Sequence, residues 1–327
     1  MREMGNENFL VTFRGVRGSI PTPLSPHQVG DKILKALELA KPEDLVDDAS
    51  RKSFLATLEP EIRGCIGGNS SCVQLQVGGQ NLIFDAGTGL RSLGLDFMEE
   101  EFGVGKGHAN LFISHTHWDH INGIPFFGPF YVEGNQFTVF CPFEDIKDRL
   151  ETQQNPRFFP VPLKAFSATL DFQDMSQKTQ HELGDILVTW KEMDHPGKSF
   201  AYRVDYKGKS CVYATDAEYK NLTKEDLQPT VDFFRDADLL IFDAQYAFMD
   251  GLAKRDWGHS SAFIGVDLAV DANVKRIAFY HHEPTYSDFK LMELYEQAQR
   301  YLKPISPDSK LELLMAREEL TLDLMQD

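Results

Sequence analysis

The segment that most constrains the fold of this chain is a dense group of histidines and one aspartate that directly follows an apolar, strand-like run. The apolar run is Leu111-Phe112-Ile113, and the group is Ser114-His115-Thr116-His117-Trp118-Asp119-His120. Side chains of an extended segment alternate between faces, so His115 and His117 project the same way and can bind one ion. If the backbone then turns into a helix, Asp119 and His120 can bind a second ion. Imidazole and carboxylate groups together suit zinc-like ions, and packing alone explains such a cluster poorly.

Three further candidate ligands follow strand-like segments elsewhere in the chain. They are His195, Asp216, and either His281 or His282 after the apolar segment that starts at Arg276. Taken singly, the histidines have an ordinary explanation as loop residues, and the aspartate as a helix cap. Two ions need more ligands than one motif supplies, so the first group favours a metal-binding role for these residues as well.

The size and charge of the chain limit its fold class and its partners. With 327 residues, 42% hydrophobic and 12% aromatic, it can bury a large core, and we expect one domain over residues 1–327 with an insertion. The 33 basic and 50 acidic side chains give a formal net charge of -17. That charge argues against a nucleic-acid partner, because phosphate contacts need clustered Lys and Arg. Small anionic substrates remain compatible with it if metals supply local positive charge.

Cysteine spacing and hydropathy indicate a cytoplasmic protein without a membrane partner. The cysteines show no C-x-x-C spacing, and we expect them to be small buried hydrophobes kept reduced; they are Cys65, Cys72, Cys141 and Cys211. No secretion-signal pattern follows Met1, and no apolar run approaches the ~20 residues needed to span a bilayer.

Two segments differ from the strand-rich remainder. Residues 24–64 carry apolar positions at helical spacing on both sides of Pro42, which predicts a helical insertion. Its role stays open between a lid over the site, a dimer contact and a decoration. The Pro- and Phe-rich residues 155–175 predict a rim loop. Just before the insertion, Arg14 and Arg17 lie beside glycines, where they can face an anion or simply flank a turn.

A short internal repeat suggests how the fold is organised. Residues 83–86 read Ile-Phe-Asp-Ala and recur at 241–244, and each copy precedes a strand that ends in histidines. In the first copy, Asp85 can orient a ligand histidine or cap the helix near Leu90. A duplicated half, with two sheets packed face to face and helices outside, explains the repeat. Strand patterns alone do not distinguish that sandwich from a doubly wound sheet.

The segment from Ser114 to Phe127 resembles the metal-binding signature of the metallo-β-lactamase fold hydrolases. Further segments resemble the phosphodiesterase branch of that family, which includes transfer-RNA 3′-processing endonucleases and cyclic-nucleotide phosphodiesterases. These segments are residues 67–72 (GGNSSC), 84–89 (FDAGTG), 258–261 (GHSS) and 281–284 (HHEP). The resemblance covers most of the chain apart from about residues 24–64. It implies an α+β fold, an αββα sandwich of two packed mixed β-sheets with helices outside.

Matched residue by residue, the resemblance also implies a set of metal ligands. The first ion would be bound by His115, His117 and His195, the second by Asp119, His120 and His281, with Asp216 bridging both. Register favours His281 over His282, since one step along a strand reverses the side chain. Zinc is the expected metal, and mixed imidazole and carboxylate sites also accept manganese or iron. A homodimer is a further expectation from the resemblance.

The implied chemistry is attack on a phosphoester by hydroxide. Two divalent ions ~3.5–4 Å apart polarise a phosphoryl oxygen and lower the pKa of a shared water. Asp119 would hold the hydroxide in line, and His259 would protonate the leaving oxygen, since the phosphodiesterase branch carries such a histidine in G-H-S-[ST]. The ordinary alternative for His259 is a loop histidine beside a helix capped by Ser260. His282 and Ser71 are candidate substrate contacts.

We therefore expect a dinuclear phosphodiesterase that cleaves a small nucleotide or cyclic-nucleotide ester. Transfer-RNA 3′ processing is the neighbouring alternative, but it requires an RNA-binding arm or basic patch, and the sequence shows no Gly- and Lys-rich insertion of that sort. Hydrolysis of a carboxylic ester, thioester or lactam on the same scaffold has no evident need for His259. A non-catalytic metal-bound sensor is disfavoured because structural zinc sites are normally closed and tetrahedral.

Overall fold

The computed structural model describes residues 7–326 and places their strands in two seven-stranded sheets. The first sheet has the order β14-β1-β2-β3-β4-β5-β6 and the second has the order β13-β12-β11-β10-β9-β8-β7. In the first sheet the strands are β1 (Phe9–Gly15), β2 (Cys72–Val77), β3 (Gln80–Phe84), β4 (His108–Phe112), β5 (Gln136–Cys141), β6 (Thr169–Asp174) and β14 (Thr321–Asp323). In the second they are β7 (Gln180–Leu183), β8 (Ile186–Met193), β9 (Ser199–Tyr206), β10 (Lys209–Ala214), β11 (Leu239–Asp243), β12 (Arg276–Tyr280) and β13 (Glu312–Met315).

Ten α-helices and several short 3-10 turns connect the described strands. The helices are α1 (Pro26–Leu39), α2 (Asp48–Thr57), α3 (Pro60–Arg63), α4 (Gly89–Met98), α5 (Trp118–Ile121), α6 (Ile146–Gln153), α7 (Lys224–Phe234), α8 (Phe248–Ala253), α9 (Ala262–Asp271) and α10 (Asp288–Ile305). None of the helices within residues 7–326 is both long and apolar enough to cross a membrane.

The two sheets pack against each other through aromatic side chains. Phe84 on β3 stacks on Phe112 of β4 with ring centroids 5.1 Å apart, and Tyr202 of the second sheet packs 5.6 Å from Phe84. The Tyr202 hydroxyl donates to the Ile113 carbonyl at 2.7 Å, so its one polar atom is satisfied in the interior. A second apolar cluster lies between β10–β12 and the helices α7, α9 and α10. The expected αββα sandwich of two mixed sheets is confirmed.

The two sheets share one pattern of strand pairing. From β14 to β6 there are three antiparallel pairings and then three parallel ones, and the run from β7 to β13 shows the same sequence of pairings. The repeated residues 83–86 and 241–244 lie at the ends of β3 and β11. These are not equivalent strands, because β3 has one antiparallel and one parallel neighbour, as β10 does, whereas both neighbours of β11 are parallel. The shared pairing pattern agrees with a duplicated half, but the Ile-Phe-Asp-Ala repeat does not mark equivalent positions in the two sheets.

The helical insertion is confirmed, with α1, α2 and α3 lying between β1 and β2. It is attached to the sandwich by Lys32 of α1, whose ammonium contacts the buried Asp288 carboxylate at 2.9 Å. The apolar side chains of α1 largely face solvent, since Ile33, Leu34 and Leu37 are each more than half exposed.

Cysteine burial follows the expectation at three of four positions. Cys72, Cys141 and Cys211 are buried, whereas Cys65, directly after the insertion, is exposed. All four are free thiols.

Candidate metal centre

The carboxyl ends of β3, β4, β8, β10, β11 and β12 meet at one edge of the sandwich, and the candidate ligands lie in the loops that follow these strands. After β4, residues 113–117 continue in an extended path, and the one-turn helix α5 begins at Trp118. The turn carries Asp119 and His120 away from the direction of His115 and His117. The local geometry inferred from the sequence is therefore present.

The first group of ligand atoms comes from His115, His117, His195 and Asp216, and these atoms all lie within 4.8 Å of one another. The His195 Nε2 atom lies 3.0 Å from His117 Nδ1. The Asp216 Oδ2 atom lies 3.5 Å from His115 Nε2 and 3.7 Å from His195 Nε2. The first sheet thus supplies two histidines, and the second sheet supplies a histidine and a carboxylate.

The second group comes from Asp119, His120, Asp216 and His281, again with all ligand atoms within 4.8 Å. The Nε2 atoms of His120 and His281 are 3.2 Å apart. Asp119 Oδ2 lies 3.1 Å from His281 Nε2, and Asp216 Oδ1 lies 3.2 Å from the same atom. Asp216 therefore directs one oxygen to each group, the position that a bridging ligand occupies.

Hydrogen bonds fix the orientation of three of the histidine rings. A carboxylate or carbonyl oxygen can only accept, so a ring nitrogen that contacts one carries the proton and leaves a lone pair on the other nitrogen. The contacts are His120 Nδ1 to Asp85 Oδ2 at 2.7 Å, His195 Nδ1 to the Gly258 carbonyl at 2.8 Å and His281 Nδ1 to Gln245 Oε1 at 3.0 Å. The amide of Gln245 is itself oriented, because its Nε2 donates to Glu283 Oε2 at 2.8 Å.

The resulting arrangement fits bound cations. The lone pairs on Nε2 of His120 and His281 face each other, which is repulsive unless a positive charge lies between them. His115 Nε2 is buried and makes no hydrogen bond among the described residues. Neutral imidazoles with carboxylates are the donors that zinc-like ions prefer, so the residues present fit two divalent ions.

Burial and the neighbouring aspartates determine which ligand histidines are protonated when no metal ion is bound. Burial lowers the pKa of His115 well below its usual value and also lowers the pKa of His195. Burial also disfavours the charged form of His120, but Asp216, Asp119 and Asp85 outweigh burial and raise the pKa of His120 well above its usual value. A proton on His120 therefore competes with a metal ion for the same lone pair.

Asp85 is not among the proposed ligands but orients a ligand histidine, which is one of the two roles that the sequence suggested for it. Its carboxylate accepts from the Ser114 amide and from the Ser114 hydroxyl, both at 2.7 Å, in addition to the His120 ring. The Tyr213 hydroxyl also donates to it at 2.8 Å. The alternative, that Asp85 caps α4, is wrong because Thr88 occupies the N-cap position.

Asp243, the last residue of β11, orients His259 as Asp85 orients His120. It accepts from His259 Nδ1 at 3.0 Å and from the backbone amides of Ala217 and Gln245. Burial opposes the charged imidazolium of His259, but the Asp243 carboxylate outweighs it and, with Asp216, raises the pKa of His259 to about 9. His259 also packs against His281 with ring centroids 5.0 Å apart, beside the cluster.

Several residues around the cluster have strained backbones. Asp85, Asp216 and His281 have φ angles of 58°, 48° and 60°, in the left-handed region that favours glycine, and such strain concentrates at functional sites. Gly18 approaches His281 so closely that a Cβ atom on Gly18 would lie 2.5 Å from the ring. The backbone amide of its neighbour Ser19 donates to Asp119 Oδ2 at 2.7 Å.

Two residues expected to contact substrate lie away from the site opening. His282 is 1% exposed, and its Nε2–H donates to the Ala316 carbonyl at 2.8 Å. Burial lowers the pKa of His282 to about 3. Ser71 is likewise buried. The expectation that His282 and Ser71 contact substrate is therefore not supported, whereas His281 points into the cluster as the register argument predicted.

Neither arginine of the first loop faces an anion site. The Arg17 guanidinium is 2% exposed and donates to the Gly67 and Tyr286 carbonyls and to the Asp288 carboxylate, at 2.7, 2.9 and 3.1 Å. Arg14 pairs with Asp96 at 2.7 Å. Arg17 thus links the first loop to the start of α10, and the anion-binding alternative is wrong for both residues.

The cluster opens into a pocket of about 390 Å³. Its lining consists of Ser19, Thr116, His117, Trp118, Asp119, Asp216 and His259. Sequence reasoning did not identify Gln245 or Asp243 as orienting residues. The repeat of residues 83–86 at 241–244 contained the signal for Asp243, because Asp85 was already a candidate for that role.

Fold and site together define a metal-dependent hydrolase of the metallo-β-lactamase fold, a class in which divalent metal ions are implied. Residues 80–282 match the family described as the beta-lactamase superfamily domain, and the chain belongs to that family.

Relatives of known sequence and structure are similar to this chain over most of its length. Ribonuclease Z of Halorubrum lacusprofundi is 25% identical over 250 residues, which are 64% of this chain and 79% of that protein. The metallo-beta-lactamase fold protein YhfI from Bacillus subtilis superposes with a TM-score of 0.63 at 15% identity, covering 97% of this chain and 100% of that one. The short form of human tRNase Z gives a TM-score of 0.56 at 16% identity, covering 96% and 99%. The two superpositions support the fold.

Proposed function

We propose that this protein is a phosphodiesterase with two metal ions that cleaves a small nucleotide or cyclic-nucleotide phosphoester. The observation that carries this proposal is the His259–Asp243 pair beside the ligand cluster. A phosphodiester needs a proton on its departing oxygen, and a histidine held cationic by a buried carboxylate can supply one. Carboxylic esters and lactams also release basic leaving groups, so the choice among them rests on residues 258–261, which resemble the G-H-S-[ST] segment of the phosphodiesterase branch.

The proposed ligand set follows the two groups described above. His115, His117 and His195 would hold one ion, Asp119, His120 and His281 the other, and Asp216 both. Zinc is the expected metal, with manganese and iron also suited to these donors. Two divalent ions held there supply Lewis-acid activation of water and of the phosphoryl group.

The protein's own residues then position the reacting groups. Asp119 is held by the Ser19 amide, so its carboxylate has a fixed direction towards the pocket from which it can orient an attacking water. His259 is held through Nδ1 by Asp243, so its Nε2 is the atom that delivers a proton to the leaving oxygen. Both residues line the same pocket, as an in-line displacement requires.

The size and charge of the protein support a small substrate. The pocket of about 390 Å³ lies in the usual range of small-molecule sites. The formal net charge of -17 opposes the approach of a long polyanion. Arg149 donates to the hydroxyl of Thr116 in the pocket lining at 3.1 Å, and its guanidinium is also paired with Asp145 at 2.8 Å.

A second candidate function is transfer-RNA 3′ processing, because relatives matched over most of their length are ribonuclease Z proteins. The same experiment tests both functions. Purified, metal-loaded protein is assayed with bis-p-nitrophenyl phosphate, cyclic mononucleotides, cyclic dinucleotides, precursor transfer RNA and, as a carboxylic ester, p-nitrophenyl acetate. Cleavage of a small ester but not of the RNA supports our proposal. Efficient cleavage of the RNA alone replaces it with the second candidate, and turnover of carboxylic esters alone refutes both.

A further inference from the structure

Trp118 is exposed at the mouth of the candidate site. It is the first residue of α5, lies between His117 and Asp119, and its side chain is 81% exposed. Within residues 7–326, no aromatic ring or cation packs on its indole. Trp118 also lines the pocket that contains Asp119, Asp216 and His259.

Packing does not explain a tryptophan at this position. Tryptophan side chains are usually highly buried, and their large apolar faces contribute to stability through that burial. Trp190 on β8 behaves in this way and is 6% exposed. The side chain of Trp118 buries almost none of its surface, so it adds little to stability. Tryptophan is also not a strong helix former, so helix propensity does not explain its presence in α5. Its indole is therefore available to a ligand.

We propose that the indole of Trp118 is the stacking surface for the nucleobase of the substrate. This inference rests on the proposed function and names a part of the substrate. Trp118 is adjacent in sequence to His117 and Asp119, two proposed metal ligands. Its Cα atom is therefore about 3.8 Å from the Cα atom of each. A base stacked there belongs to the nucleoside directly attached to the reacting phosphate.

The composition of the pocket favours a base over an acyl or peptidyl group. Apart from Trp118, the residues that line it are polar or charged, so an aliphatic chain would find no apolar wall. A nucleobase needs only one flat face to stack on and polar groups at its edges. Ser19 and Thr116, at the same pocket, provide hydroxyl groups for such edges.

Tryptophan fluorescence tests the stacking without turnover. The chain has three tryptophans, and Trp257 is a matched control because it is 62% exposed but does not line the pocket. Titration with adenosine 5′-monophosphate should quench the emission of the unaltered protein and of Trp257→Phe. The quenching should be lost in Trp118→Phe. Equal quenching in Trp118→Phe and the unaltered protein would overturn the proposal.

Kinetics with two esters that share a leaving group test the base directly. One is thymidine 5′-(4-nitrophenyl phosphate) and the other is methyl 4-nitrophenyl phosphate. In Trp118→Ala, kcat/KM for the nucleoside ester should fall about tenfold more than for the methyl ester, the size of effect that loss of one base–aromatic stack has. Trp118→Phe should keep most of this preference, and Trp257→Phe all of it.

The outcomes separate this inference from the proposed function. If Trp118→Ala affects both esters equally, the indole does not contact the base and the inference is wrong, although phosphodiesterase activity stands. If the unaltered protein cleaves neither ester, the proposed function is wrong, and the fluorescence titration alone decides whether Trp118 binds nucleobases.

Discussion

Replacing Asp85 by Asn should weaken metal binding and destabilise the protein without changing the size of the side chain. One oxygen of Asp85 accepts from the Ser114 amide, and the other accepts from the Ser114 hydroxyl, the Tyr213 hydroxyl and the His120 ring. The two hydroxyls can rotate and become acceptors, but the two N–H groups cannot. Whichever way the asparagine amide is turned, its NH2 group faces one N–H donor, of either Ser114 or His120.

The magnitude follows from that count of donors. One hydrogen bond to a charged acceptor is lost and one buried donor is left unpaired, which lowers the free energy of unfolding by about 2–3 kcal/mol. The orientation of His120 is loosened at the same time, and loss of such an orienting carboxylate typically reduces metal affinity about 10–100-fold.

Competition with a chromophoric zinc chelator measures the affinity, and urea unfolding of the metal-free protein measures the stability. The control is Asp96→Asn, because Asp96 is a half-exposed carboxylate that contacts Arg14 at the surface. It should behave like the unaltered protein in both assays. If Asp85→Asn bound two ions per chain with unchanged affinity, His120 would not depend on Asp85, and the assignment of orienting roles would be refuted.

Four further outcomes are expected. Metal analysis of the unaltered protein should find close to two ions per chain, and Asp119→Ala should lose activity; one ion or none in the unaltered protein would refute the dinuclear site. His259→Ala should lower kcat on a cyclic mononucleotide, whose sugar oxygen needs a proton as it leaves, about 10²–10⁴-fold, the usual contribution of a general acid, while retaining both ions. The loss on bis-p-nitrophenyl phosphate should be much smaller, because nitrophenolate leaves without a proton; unchanged turnover of the cyclic nucleotide would remove the role of His259 as proton donor. Removing metal with a chelator should lower the Tm, because ions that bind only the folded state stabilise it, and an unchanged Tm would argue against the site. Asp288→Ala should destabilise the protein by about 3–5 kcal/mol, since it leaves the buried Arg17 without its carboxylate; a urea midpoint within error of the unaltered protein would contradict this.

The ligand cluster could be predicted from the sequence because its chemistry is local. Two histidines at alternate positions of an extended segment must point the same way, and the following helical turn is only four residues long. The remaining ligands lie at strand ends, and the family resemblance was needed to choose among them. His281 shows the limit of a pure register argument, since its φ of 60° means that the strand has already ended there.

Other features were wrongly interpreted from the sequence, one because of its neighbouring residues and one because of tertiary contacts. Residues 155–175 were expected to be a loop, but β6 (Thr169–Asp174) pairs with β5 as an edge strand. Leu170 and Phe172 alternate with polar residues and pack against the core, so the period-two pattern of an edge strand was present, but the proline-rich residues before it led the whole segment to be interpreted as a loop. Arg17 looked like an anion-binding residue because its buried partners come from residues 67, 286 and 288, far along the chain.

The bridging position of Asp216 has a consequence for the duplicated architecture. Each proposed ion takes ligands from loops of both sheets, since His115 and His120 follow β4 whereas His195, Asp216 and His281 follow strands of the other sheet. Neither half could hold either ion by itself. The ions would therefore stabilise the packing of the two halves against each other. Chelation would weaken the contact between the two sheets at the edge that carries the site.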